Sequence, residues 1–90
     1  MLTISYSTKF KKDYKLAKRR GYDICLLEEV LEILCSGQLL PQKYRDHVLT
    51  GNYDGQRECH ITPDWLLIYK IEKDKLLLTL TRTGTHSDLF

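Results

Sequence analysis

Leu66, Leu67 and Ile68 are three consecutive aliphatic residues inside the segment Trp65 to Ile71, which is bounded by the turn signals Thr62-Pro63-Asp64 and Lys73-Asp74. A strand with one solvated face alternates polar and apolar residues, whereas a strand that is apolar at successive positions must be covered on both faces. This segment is therefore predicted to be an interior strand, and the rest of the chain has to supply neighbours and two covering layers.

Its neighbours in sequence read as the flanking strands. Gln56 to Ile61 precedes the first turn and Leu76 to Arg82 follows the second, so the three segments form a meander. Upstream, Leu2, Ile4 and Tyr6 alternate with Thr3 and Ser5, the period-two signature of a short strand. Two helical patterns then follow. Phe10, Tyr14 and Ala17 define the apolar stripe of the first, which Ser7 or Thr8 can cap and Gly21 can end. Leu27, Val30, Leu31 and Leu34 define the second, over Ile24 to Ser36, with Asp23 as its cap and Gly37 as its stop. Gln38 to Asn52, with Pro41 and Gly51, is predicted to be an irregular connection, and Thr85 to Phe90 a short tail. The order of strand, αα-hairpin and three-stranded meander predicts an α+β fold, helices packed on a mostly antiparallel sheet.

Ninety residues suffice for one domain, spanning 1–90, and for no second one. The opening residues lack a secretory leader, and no apolar run nears the roughly 20 residues of a membrane span, so a cytoplasmic location is expected. Cys25, Cys35 and Cys59 are odd in number and form no CxxC pair, and read as apolar residues in a reducing compartment. Charge is uneven. Between residues 9 and 20, seven cations (Lys9, Lys11, Lys12, Lys15, Lys18, Arg19 and Arg20) face one acid, Asp13. Such a block suits a phosphate-binding face, although a solvated helix surface accounts for the charge equally well.

The three histidines, His47, His60 and His86, fall in three separate segments predicted to be non-helical. An imidazole, with an ordinary pKa near ~6.5, both accepts and donates protons at neutral pH. Cleavage of RNA by its own 2′-hydroxyl needs one group to take that proton and another to protonate the departing 5′-oxygen, a demand that two histidines flanking a phosphate satisfy. Asp64 follows Pro63 in a turn, where aspartate commonly bonds backbone amides, but it also lies near His60. Whether the two share a face depends on hairpin register. Arg57 and Arg82 are candidate phosphate ligands, and Trp65 and Phe90 candidate base-stacking residues, with core packing the competing role for Trp65. The spacing of the histidines matches no compact metal-ligand pair, so no metal and no cofactor is predicted.

Three ordered motifs carry a resemblance. Tyr44-Arg45-Asp46-His47-x-Leu49-x-Gly51, Arg57-x-Cys59-His60-Ile61-x-Pro63-Asp64-Trp65-Leu66-Leu67-Ile68-Tyr69 and Arg82-Thr83-Gly84-Thr85-His86-Ser87-Asp88-Leu89-Phe90 resemble the YafQ branch of the RelE toxin superfamily over nearly the whole chain. The resemblance implies a RelE-like fold and an mRNA interferase that enters the ribosome, cuts the bound message without a metal, and is silenced by a cognate antitoxin. DNA contact is expected only indirectly, through the antitoxin complex. It implies His86 as proton donor, with His47, His60 and Asp64 completing the acid-base set. Residues matching Arg82 and Phe90 handle phosphate and base, and Trp65 stands beside the aspartate. The resulting expectation is His47 or Asp64 as base, His60 stabilising transition-state charge and His86 as acid, with Lys11, Lys12, Lys15 and Lys18 as an RNA-binding face. Two other functions fit the same residues: a ribosome-independent RNase, and a non-catalytic RNA-binding or antitoxin-binding relative.

Overall fold

The computed structural model covers residues 1–90 and consists of β1 (Thr3–Tyr6), α1 (Thr8–Arg19), α2 (Ile24–Cys35), β2 (His47–Val48), β3 (Arg57–Thr62), β4 (Trp65–Glu72), β5 (Leu77–Gly84) and α3 (His86–Leu89). The strands form one sheet in the order β1-β5-β4-β3-β2. β1 runs parallel to β5, and the other pairings are antiparallel. β4 is the central strand, as its apolar run requires, and both of its faces are covered.

One face of β4 presents Trp65, Leu67 and Tyr69 to α1 and α2. With Leu78 and Leu80 of β5, Cys59 and Ile61 of β3, and helix residues such as Phe10, Leu27 and Val30, they form a core of 14 buried residues. The opposite face presents Leu66 and Ile68, which pack with Leu49 and Leu89 in a second core of only four. Neither helix touches this second core. Its cover comes from the connection before β3 and from the chain end.

Local chemistry sets the helix ends. Ser7 Oγ accepts from the Phe10 amide at 2.9 Å, and an Asp23 carboxylate oxygen accepts from the Cys25 amide at 3.1 Å. At the end of α1 the chain turns through Gly21 at φ 81°, with the Gly21 amide donating to Lys18 O and the Tyr22 amide to Ala17 O. That hydrogen-bond pair requires the left-handed conformation glycine adopts without strain, and it fixes the direction of Tyr22.

Several expected boundaries shift. The connection 38–52 is not wholly irregular: His47 and Val48 pair with β3, and two 3-10 turns, Gln42–Tyr44 and Gly51–Tyr53, flank them. A two-residue strand is too short for periodicity to reveal. The chain end is a one-turn helix, so His86 lies at a helix start and not in a tail. Thr85 and Asp88 form a reciprocal capping box around it. Leu76 has φ 50° and belongs to the turn before β5, which continues to Gly84. No helix is long and apolar enough to cross a membrane.

Candidate active site

Alternation along β3 decides which residues share a surface. Glu58 and His60 lie opposite Ile68 and Leu66, on the face away from α1 and α2. His47 is the cross-strand partner of Glu58, and Arg82 that of Ile68. One row therefore runs across four strands as His47, Glu58, Ile68 and Arg82, and the next contains His60, Leu66 and Gly84. His47, Glu58, His60 and Arg82 therefore stand on the small-core side of the sheet.

Two irregularities adjust it. Between His60 and Thr62 the β3–β4 register shifts by one residue, and between Leu80 and Arg82 the β4–β5 register does the same. Bulges of this kind redirect side chains at a sheet edge. The first lies between His60 and the Asp64 turn, and both residues line a single cleft together with Tyr22, Trp65 and His86. Its volume is about 700 Å³.

Glu58 was not among the residues singled out from sequence. It is only 5% exposed, and its Oε1 lies 3.4 Å from Nε2 of His47 and 3.7 Å from Nε2 of His60, while Oε2 has no partner. The signal was the i, i+2 spacing of Glu58 and His60 in a predicted strand, which places both on one face. The imidazole centres are 6.4 Å apart. In both rings Nδ1 approaches a backbone carbonyl, Arg45 O at 2.8 Å for His47 and Pro63 O at 3.4 Å for His60. A carbonyl only accepts, so an Nδ1–H is the group that bonds it, while Nε2 of both rings faces the Glu58 carboxylate.

His86 is held by the chain end. Thr85 Oγ1 accepts from the Asp88 amide at 3.2 Å, and Asp88 accepts from the Thr85 amide at 2.9 Å. Asp88 also accepts from Arg20 at 2.6 Å, tying α3 to the end of α1. This guanidinium, with the backbone bonds from Thr85, holds the Asp88 carboxyl well below the usual carboxylate range. Gly84 makes room: a Cβ there would lie 2.9 Å from the Asp88 carboxylate. The His86 ring stacks on Phe90 with centres 4.9 Å apart, and Phe90 meets Tyr53 edge-on at 5.6 Å. Phe90 is 55% exposed.

The cationic and aromatic candidates divide. Arg82 shares the histidine face, but its guanidinium donates to Asp13 at 2.7 and 3.1 Å. Arg57 lies apart from the histidine cleft. It pairs with Tyr69 on the helix-side face, and its guanidinium binds Asp46, which also accepts from the Tyr69 hydroxyl at 2.6 Å. Period-two alternation turns it away from Glu58 and His60. Trp65 takes the core-packing role weighed for it from sequence: it is 3% exposed, its Nε1 donates to Thr83 Oγ1 at 2.8 Å, and it meets the cleft only at its edge. Lys11 and Lys15 rim a separate groove between α1 and α2. Lys12 is exposed, and the Lys18 ammonium lies 5.1 Å above the Tyr14 ring. None of the four lines the histidine cleft. No group of three His, Cys, Asp or Glu side chains is disposed to hold a metal ion.

Residues 2–90 match the protein family described as the bacterial toxin of a type II toxin-antitoxin system, YafQ. The chain belongs to the YafQ toxin family. It is 47% identical over 88 residues to the mRNA interferase toxin YafQ of Escherichia coli K12, covering 97% of this chain and 94% of that one. A metal-bound toxin from Helicobacter pylori superposes with a TM-score of 0.93 at 48% identity over the full length of both chains. The E. coli DinJ-YafQ complex superposes with a TM-score of 0.90 at 44% identity, covering 100% of this chain and 99% of that one. The α+β architecture of this YafQ-family chain is accordingly the RelE-like fold that its motifs implied.

Proposed function

We propose that this chain is an endoribonuclease toxin, an mRNA interferase that cuts messenger RNA on the ribosome in the cytoplasm. The observation that carries the reading is that His60, Asp64 and His86 line one open cleft although they come from a strand, a turn and a terminal helix. Such a cleft offers proton-transfer groups on two sides of a bound phosphate. The E. coli relative named an mRNA interferase supports the substrate class.

In the proposed mechanism the 2′-hydroxyl of one nucleotide attacks the adjacent phosphorus. The 2′-oxygen–phosphorus bond forms, the bond from phosphorus to the 5′-oxygen breaks, and the products are a 2′,3′-cyclic phosphate and a 5′-hydroxyl. Asp64, which lines the cleft with His60 and His86, takes the 2′-hydroxyl proton, and His60 stabilises the transition-state charge; His47, the other candidate base, does not line the cleft. His86 donates a proton to the leaving oxygen, while Arg82 faces the charge that develops on phosphate and Phe90 stacks on a base. Each role falls to a side chain, and the reaction is expected to continue in EDTA.

A general acid contributes about 10²–10⁴-fold. His86→Ala is therefore expected to lower cleavage of ribosome-bound message by at least about 100-fold at unchanged folding. Near-normal cleavage by that variant would exclude the acid role. Mapping the ends on a translated message, with and without ribosomes, tests ribosome dependence. A cognate antitoxin is the expected protein partner, as supported by the E. coli toxin solved with DinJ. Growth arrest relieved by a co-expressed antitoxin is the corresponding outcome.

A further inference from the structure

The aromatic surface that the cleft offers is not Trp65 but Tyr22. Tyr22 is half-buried and lines the cleft with His60, Asp64 and His86. Its ring lies against Trp65 with centres 5.0 Å apart and planes inclined by 51°. Trp65 is buried and anchored on Thr83, so it backs Tyr22 as a rigid support. The backbone of Tyr22 is fixed as well, because its amide closes the end of α1 on Ala17 O beside Gly21. Leu26 adds an apolar wall from α2, and the neighbouring Arg20 carries positive charge tied to α3.

A flat, pre-positioned ring with an apolar neighbour and a nearby cation is the arrangement that holds a nucleobase of single-stranded RNA. Phe90 does not line this cleft, although its ring packs against that of His86. We propose that Tyr22 is a base-stacking residue that receives the nucleobase on one side of the scissile phosphate, while Phe90 receives the base on the other. This rests on the RNA-cleaving reading given above. Tyr22 positions substrate and takes no part in proton transfer.

The test uses ribosomes programmed with a synthetic message containing one mapped cut site, either intact or abasic at the nucleotide 5′ or 3′ of the cut. Tyr22→Leu keeps apolar packing over Trp65 but removes the aromatic face, and thermal unfolding checks that it folds. On the intact message its kcat/KM is expected to fall roughly ten- to a hundredfold, mostly through KM, in line with the loss of one stacked base. Tyr22→Phe is expected to retain cleavage. On the message abasic at the Tyr22 position, wild type and Tyr22→Leu should cut equally slowly. Equal cleavage of the intact message by the two proteins, or a Tyr22→Leu deficit that persists on both abasic messages, overturns the assignment. If wild type fails to cut the intact message, the ribonuclease reading itself has failed and this inference falls with it.

Discussion

The two faces of β4 do different work although they belong to the same eight residues. The helix-side face carries the 14-residue core, made of elements with strong periodic patterns. The opposite face carries a core of four, covered by a turn-rich connection and a one-turn helix. Around that smaller core stand His47, Glu58, His60 and Arg82, with His86 at its edge. Burial on one side supplies most of the stability. A lightly covered second side leaves polar groups facing an open cleft, and its cover is weakly held because few apolar contacts hold it.

The largest expected effect is on the helix side. Leu67 is fully buried there, and Leu67→Ala should cost about 3–5 kcal/mol in urea unfolding while the folded fraction keeps normal activity. An activity loss larger than the loss of folded protein would break the comparison.

On the other side, Leu89→Ala should cost about 2 kcal/mol, the low end for such substitutions, because the cover can collapse. Cleavage should fall more than stability, since α3 carries His86 and Leu89 is the residue that seats it. Equal proportional losses would show that the two faces are not separable.

Glu58→Gln sharpens the comparison within the site. The amide keeps the shape of the side chain but withdraws the charge facing two imidazoles, so cleavage should fall roughly tenfold. Unfolding free energy should move by no more than about 1 kcal/mol, because Oε2 has no hydrogen-bond partner to lose. A large stability loss would recast Glu58 as a structural residue.

The smallest effect concerns the Arg20–Asp88 tie. Asp88 has a depressed carboxyl pKa in the folded state, so its contribution is complete above the ordinary value of 3.8 and is lost as pH falls through the depressed one. Amide exchange at Leu89 and Phe90 should accelerate below pH 3.8 relative to that of β4, and Asp88→Asn should show the acceleration already at neutral pH. A protection pattern at the chain end that is insensitive to both would show that Leu89 alone seats α3.

The helix-side half of this molecule was legible because its residues repeat. Ser7, Asp23 and Gly21 mark helix ends by local hydrogen bonding, and Leu27, Val30 and Leu34 keep helical spacing. The other half was legible only in part. His86 and Phe90 were readable as candidates, but the capping box of Thr85 and Asp88 that turns the tail into a helix was present and unread. Glu58 was hidden in a strand whose two-residue partner, His47–Val48, has no period at all.

The sequence alone determined that β4 is interior, because six consecutive residues from Trp65 to Lys70 include five apolar or aromatic side chains that no single-faced strand accommodates. It also determined the helix pair and, through three ordered motifs, the family. Only the tertiary structure decided which face each candidate occupies. Strand register and two bulges depend on contacts among distant segments, and a shift of one residue reverses the face. That is why Arg57 faces the helix side while Glu58 joins the histidine row, and why Trp65 meets the cleft from within the core.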